Sequence, residues 1–164
     1  MLRRSLFFRK AAGRKTTAQI VAANVDTIFI CMALDANYNL KRLERYLVVA
    51  WDSGATPVVV LTKADLASNL DQQIADVAEM AAGDNVVFCS ATDESWRKIT
   101  DYVQPGKTVA FIGSSGVGKT TLINQLMGRN VGATQAVRGS DAHGRHTTTG
   151  RELLVLPEGG LVID

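Results

Sequence analysis

Cysteine, histidine and long apolar runs are all scarce in this chain of 164 residues, and each shortage removes a class of protein. The two cysteines, Cys31 and Cys89, are too few and too scattered for a structural zinc site. Both lie in apolar, strand-like runs, which reads as buried thiols in a reducing compartment, not as a disulfide. The two histidines, His143 and His146, lack thiol or carboxylate partners at metal-binding spacing. No apolar run approaches the roughly 20 residues needed to cross a bilayer. Leu6-Phe7-Phe8 is too short for a signal-peptide core and is cut off by Arg9-Lys10, so a cytoplasmic protein with no membrane partner is expected. Internal repeats, low-complexity tracts and an interdomain linker are also missing.

Acidic residues are absent from the first fifteen positions, which hold six basic ones: Arg3, Arg4, Arg9, Lys10, Arg14 and Lys15. The overall net charge of +2 therefore hides a remainder with 12 basic and 16 acidic residues, a net of −4. A basic arm on a mildly acidic domain points to nucleic acid, with a solvated tail as the plainer alternative. The rest of the composition, 46% hydrophobic and 21% charged, is that of one soluble globular domain with a real core.

Apolar runs of strand length alternate with amphipathic stretches. Strands are predicted over Asp26–Leu34, Pro57–Leu61, Asn85–Cys89 and Lys107–Ile112. Helices are predicted over Asn39–Trp51 and Leu66–Ala82, with Asn69 as a cap, over a short stretch from Asp93 or Ser95 to Val103, and over Lys119–Met127. Residues 1–18 show little periodicity. Gly128–Thr149 is polar and aperiodic, a length that suggests a functional loop or disorder. Glu152–Leu156 and Gly160–Ile163 flank Pro157-Glu158-Gly159 as a hairpin. The alternation predicts an α/β fold: a three-layer P-loop NTPase domain whose six-stranded sheet is mostly parallel, with one antiparallel edge strand.

Gly113-Ser114-Ser115-Gly116-Val117-Gly118-Lys119-Thr120, followed by Thr121, fits the Walker A pattern between a strand and a helix. Its glycines let backbone N–H groups converge on a β-phosphate, and the following helix directs its positive end to the same place. Lys119 supplies a cation to the β- and γ-phosphates, and Thr120 offers a hydroxyl to Mg²⁺. The loop alone does not choose between ATP and GTP.

Thr62-Lys63-Ala64-Asp65 ends the second strand and carries that choice. Guanine presents two adjacent donors that one carboxylate accepts together; adenine would leave Asp65 unpaired, a discrimination of about 10⁴-fold. Lys63 is expected along the base plane, bracing the phosphate loop. Thr62 stands where the general GTPase pattern has Asn. Ser90-Ala91-Thr92 ends the next strand, where a backbone N–H meets guanine O6. In the polar loop, Arg145-His146-Thr147-Thr148-Thr149 offers switch residues: Thr148, then Thr147, as reporters of the γ-phosphate through Mg²⁺, and His146 as a residue that positions water. Asp164, at the end of the last strand, is expected to hold the metal through water.

The base reader precedes the phosphate loop, the reverse of the usual order. In that order, Ala22-Ala23-Asn24-Val25-Asp26, Arg42-Leu43-Glu44-Arg45-Tyr46-Leu47, Leu61 to Leu66, Gly113 to Thr121 and His146 to Thr149 resemble the RsgA family (also YjeQ or EngC) of circularly permuted bacterial GTPases. Thr62 matches this family's own form. The resemblance implies hydrolysis of GTP to GDP with Mg²⁺, action late in maturation of the 30S ribosomal subunit, and contact with that subunit and its rRNA by a monomer. It implies a permuted GTPase domain over 19–164, with 1–18 as the end of an OB-type domain or a linker, and zinc only in a C-terminal domain beyond this chain. It makes His146 the catalytic candidate beside Lys119. On this reading Asp26–Leu34 is the fourth strand of an ordinary GTPase and Gly160–Ile163 the third. Two other readings remain: a GTP-dependent ribosome- or RNA-binding module with little turnover, and an adenine P-loop ATPase of ABC type, whose signature helix and catalytic Glu are not found.

Overall fold

The computed structural model describes residues 5–10, 18–81, 85–90, 93–129 and 152–164. The chain runs β1 (Leu6–Lys10), β2 (Ala18–Ala23), β3 (Thr27–Ala33), α1 (Leu40–Ser53), β4 (Thr56–Thr62), α2 (Leu70–Met80), β5 (Val86–Phe88), β6 (Thr108–Gly113), α3 (Lys119–Met127), β7 (Leu153–Val155) and β8 (Leu161–Ile163). Among the described residues there are also two 3-10 segments, Ala64–Leu66 and Glu94–Tyr102.

Six strands form one sheet in the order β5-β4-β3-β6-β8-β7. The five strands from β5 to β8 are parallel, and β7 pairs antiparallel with β8 at the edge. Every residue of the central strand β3 is buried, as the run Thr-Ile-Phe-Ile-Cys-Met-Ala requires of a strand covered on both faces. Register is fixed there by Ile30, opposite Val59 on one side and Ile112 on the other.

The period-two alternation of β3 feeds two cores. Ile28, Ile30 and Met32 join Leu43, Leu47, Ala50 and Val77 from α1 and α2. Phe29, Cys31 and Ala33 join Ile99, Leu122 and Ile123 from the opposite layer. Each fully buried large apolar side chain of this kind contributes about 1.5–3 kcal/mol. The layers place α1 and α3 beside the carboxyl ends of β3 and β6, which is where the site forms.

Local chemistry sets the helix ends. Asn39 caps α1 by accepting from the backbone N–H of Arg42 at 2.9 Å, and Gly54, at φ 77°, closes it. Four expectations need correction. The helix predicted over Leu66–Ala82 starts only at Leu70, because Lys63 is left-handed (φ 56°) and a separate 3-10 turn follows it. Asn69 occupies the cap position, but its side chain makes no capping bond. The stretch after Asp93 is 3-10 throughout, with the Asp93 carboxylate accepting from Ser95 N–H at 2.8 Å. Finally, the aperiodic basic segment holds a strand, since β1 pairs antiparallel with β2.

Candidate nucleotide site

The described candidate residues sit where parallel strands end. Thr62 closes β4, Ser90 follows β5, Gly113 closes β6 and Asp164 follows β8. Open α/β sheets bind ligands at that end.

The phosphate loop is shaped by glycine at two of its turns. Gly116 (φ 76°) and Gly118 (φ 97°) are left-handed, a geometry that turns successive amides inward. Gly113 has no room for a side chain: a Cβ would lie 2.5 Å from the backbone oxygen of Cys31 on β3. α3 begins at Lys119, directly after Gly118, so its amino end faces the loop. The Lys119 ammonium donates to the carbonyls of Gly113 (3.1 Å) and Ser114 (2.9 Å). No carboxylate among the described residues pairs with it. Thr120 and Thr121 are exposed on the first turn of α3, as is Ser115 in the loop, and Val117 is buried.

Thr62 joins the two motifs. Its buried hydroxyl donates to the carbonyl of Val117 at 2.6 Å, across 55 residues of sequence. The brace expected of Lys63 is thus supplied by its neighbour. Lys63 itself turns to Asp35, with its ammonium 2.8 Å from Oδ2. That contact holds the Asp35 carboxyl below its usual value, helped by the backbone N–H of Asn37. Sequence reasoning missed Asp35 because its partner is 28 positions away and no motif contains it.

The base-reading residues also meet. Ser90 Oγ donates to Asp65 Oδ1 at 3.5 Å, joining the ends of β4 and β5, with Asp65 exposed. The Ser90 backbone N–H is already donated to Ser95 Oγ at 2.8 Å. Ala91, the next residue, lies outside the described residues, as do His146, Thr147 and Thr148.

Cys31 lies beneath the loop, and burial pushes its thiol up to about 12; Lys119 pulls the other way, and Asp164 adds to the rise. Among the described residues no cluster of His, Cys, Asp and Glu could hold a metal by itself, and no helix is long and apolar enough to cross a membrane.

A family model described as RsgA GTPase matches residues 1–164. The small ribosomal subunit biogenesis GTPase RsgA 2 of Lactiplantibacillus plantarum is 51% identical over 163 residues, 99% of this chain and 46% of that protein. The RsgA of Methanosarcina acetivorans is 43% identical, over 99% of this chain and 44% of its own length. The crystal structure of YjeQ from Thermotoga maritima superposes with a TM-score of 0.70 at 26% identity, covering 100% of this chain and 52% of that one. YloQ, described as a circularly permuted GTPase, shares the fold with a TM-score of 0.61 at 22% identity, over 96% of this chain and 53% of its own. The chain spans about half the length of the curated relatives it matches. Whole-chain family match, relatives at this identity and a permuted strand order lead to one conclusion: the chain belongs to the RsgA GTPase family.

Proposed function

We propose that the protein binds GTP and hydrolyses it to GDP and phosphate, and that it serves maturation of the 30S ribosomal subunit as a cytoplasmic monomer in contact with rRNA. The observation that carries the nucleotide reading is the Thr62–Val117 hydrogen bond, which makes the base-reading turn and the phosphate loop one site. The ribosomal role is supported by relatives named small ribosomal subunit biogenesis GTPases.

In this reading Asp65 accepts both guanine edge donors, with Ser90 steadying its carboxylate. Lys63 lies along the base. The loop amides of 114–118 and the Lys119 ammonium bind the phosphates and offset the negative charge that develops as water attacks the γ-phosphate in line. Lys119 is free to do so because its present partners are neutral carbonyls. The donor set fits a hard cation: the Thr120 hydroxyl is exposed at the start of α3 and the Asp164 carboxylate ends a nearby strand. Mg²⁺, when bound with GTP, supplies positive charge to the phosphate oxygens; Thr120 would hold it directly and Asp164 through water, with Thr148 or Thr147 joining in the GTP state. His146 would position the attacking water.

Calorimetric titration with GDP, a GTP analogue and ADP, repeated on Asp65→Asn, tests the base. Guanine nucleotides should bind far more tightly, and the variant should lose most of that preference; equal affinity for ADP and GDP sinks the reading. Single-turnover hydrolysis with 30S subunits tests the reaction. Stimulated turnover that collapses in His146→Ala supports catalysis, and absence of stimulation in the unaltered protein rejects the ribosomal role.

A further inference from the structure

From α1, Arg42 reaches across to the phosphate loop. Its Nη1 donates to Ser114 Oγ at 2.8 Å, between residues 72 positions apart. The guanidinium is well placed to hold that geometry. Its own backbone N–H is fixed by the Asn39 cap at 2.9 Å. Its side chain lines a small cavity with Ile30, Met32, Leu43, Tyr46 and Ser114. No carboxylate among the described residues forms an ion pair with it.

The loop is secured at both ends and exposed at its tip. Gly113 is pressed against the Cys31 carbonyl, and the Val117 carbonyl is held by Thr62. Ser115 and Gly116 are exposed. Ser114 lies in the first limb, and two cations hold it: Lys119 on its carbonyl and Arg42 on its hydroxyl. The first of these must leave when nucleotide arrives, because Lys119 is then drawn to the phosphates. Arg42 remains.

We infer that Arg42 is a positioning residue for the phosphate loop, acting through the Ser114 hydroxyl to keep the first limb in its binding shape once Lys119 is committed to phosphate. The inference rests on the nucleotide-binding reading above. A loop held in its bound shape loses less freedom on binding, and a charge-assisted hydrogen bond is strong enough to hold it. The guanidinium also adds positive potential beside an anion site.

The test is the dissociation rate of a fluorescent GDP analogue from the complete protein, since affinity differences among close variants fall mainly on the off-rate. Arg42→Ala and Ser114→Ala should each speed release about fivefold. The double variant should release no faster than the worse single one, because the two changes break one bond. Arg42→Lys, which keeps one donor and the charge, should recover much of the loss. A purely structural role would instead lower the melting point of the nucleotide-free protein and leave release unchanged. Release within twofold of the unaltered protein, or single effects that multiply in the double variant, overturns the inference. Should Arg42→Ala fail to fold, Ser114→Ala and Arg42→Lys carry the same comparison, with fast release from the first and near-normal release from the second. Failure of the unaltered protein to bind the GDP analogue overturns the nucleotide reading itself, a result distinct from unchanged release.

Discussion

The ammonium of Lys63 lies 2.8 Å from Oδ2 of Asp35, tying the turn after β4 to the turn after β3. Lys63 adopts a left-handed backbone (φ 56°), rare for a residue with a side chain, and this contact secures that turn. Asp35 is anchored in turn by the Asn37 N–H at 2.8 Å. The pair thus fixes the residue that leads into Asp65 before any base is present.

Asp35→Asn should lower stability at pH 7 by about 0.5–1 kcal/mol, the scale of a partly exposed pair. Its pH dependence has a defined sign. The folded carboxyl is held below its ordinary value, chiefly by Lys63, so its contribution is present above about pH 4 and is lost as pH falls through the depressed folded value. Urea midpoints at pH 7 and pH 2.5 check this: the gap between variant and parent should narrow in acid. A gap of equal size at both values would show that the ion pair contributes nothing.

Gly113→Ala and Gly118→Ala should separate, although both glycines have positive φ, 152° and 97°. At Gly113 a Cβ meets the Cys31 backbone oxygen at 2.5 Å, and the backbone of a central strand cannot yield cheaply. At Gly118 the nearest atoms are those of the Thr62 side chain at 3.7 Å, an ordinary contact. The expected costs are about 3 kcal/mol or more at Gly113 and about 1–2 kcal/mol at Gly118, read from denaturant unfolding without nucleotide. Equal costs would mean that φ alone, and not the close approach to β3, sets the requirement for glycine.

The thiols of Cys31 and Cys89 should resist modification in the native protein. Burial raises them to about 12 and about 11, so thiolate is negligible at pH 8. Site-resolved mass spectrometry after treatment with a thiol reagent at pH 8 should find both unmodified, and both modified once guanidinium is added. Rapid native labelling of either would contradict the packing under the phosphate loop and beside the 3-10 segment.

Local signals carried much of the reading. The apolar runs of β3, β4 and β6 declare buried parallel strands because both faces of each are covered. The end points of α3 match the predicted Lys119–Met127 because glycines punctuate both ends. Basic composition, by contrast, obscured β1, whose pairing with β2 depends on a strand partner, not on alternation. The same limit hid Asp35 and Arg42, whose roles come from contacts 28 and 72 positions away.

The sequence by itself determined the class of site and its unusual order. Glycine spacing, one lysine and one aspartate at strand ends are chemical requirements that local sequence must meet directly. Only the tertiary structure decided how the parts brace one another: Thr62, not Lys63, holds the phosphate loop, while Lys63 is held by Asp35 and Ser114 by Arg42. Hydrogen bonds reach only about 3 Å. Which distant side chains come that close depends on strand order and layer packing, and no local pattern encodes it.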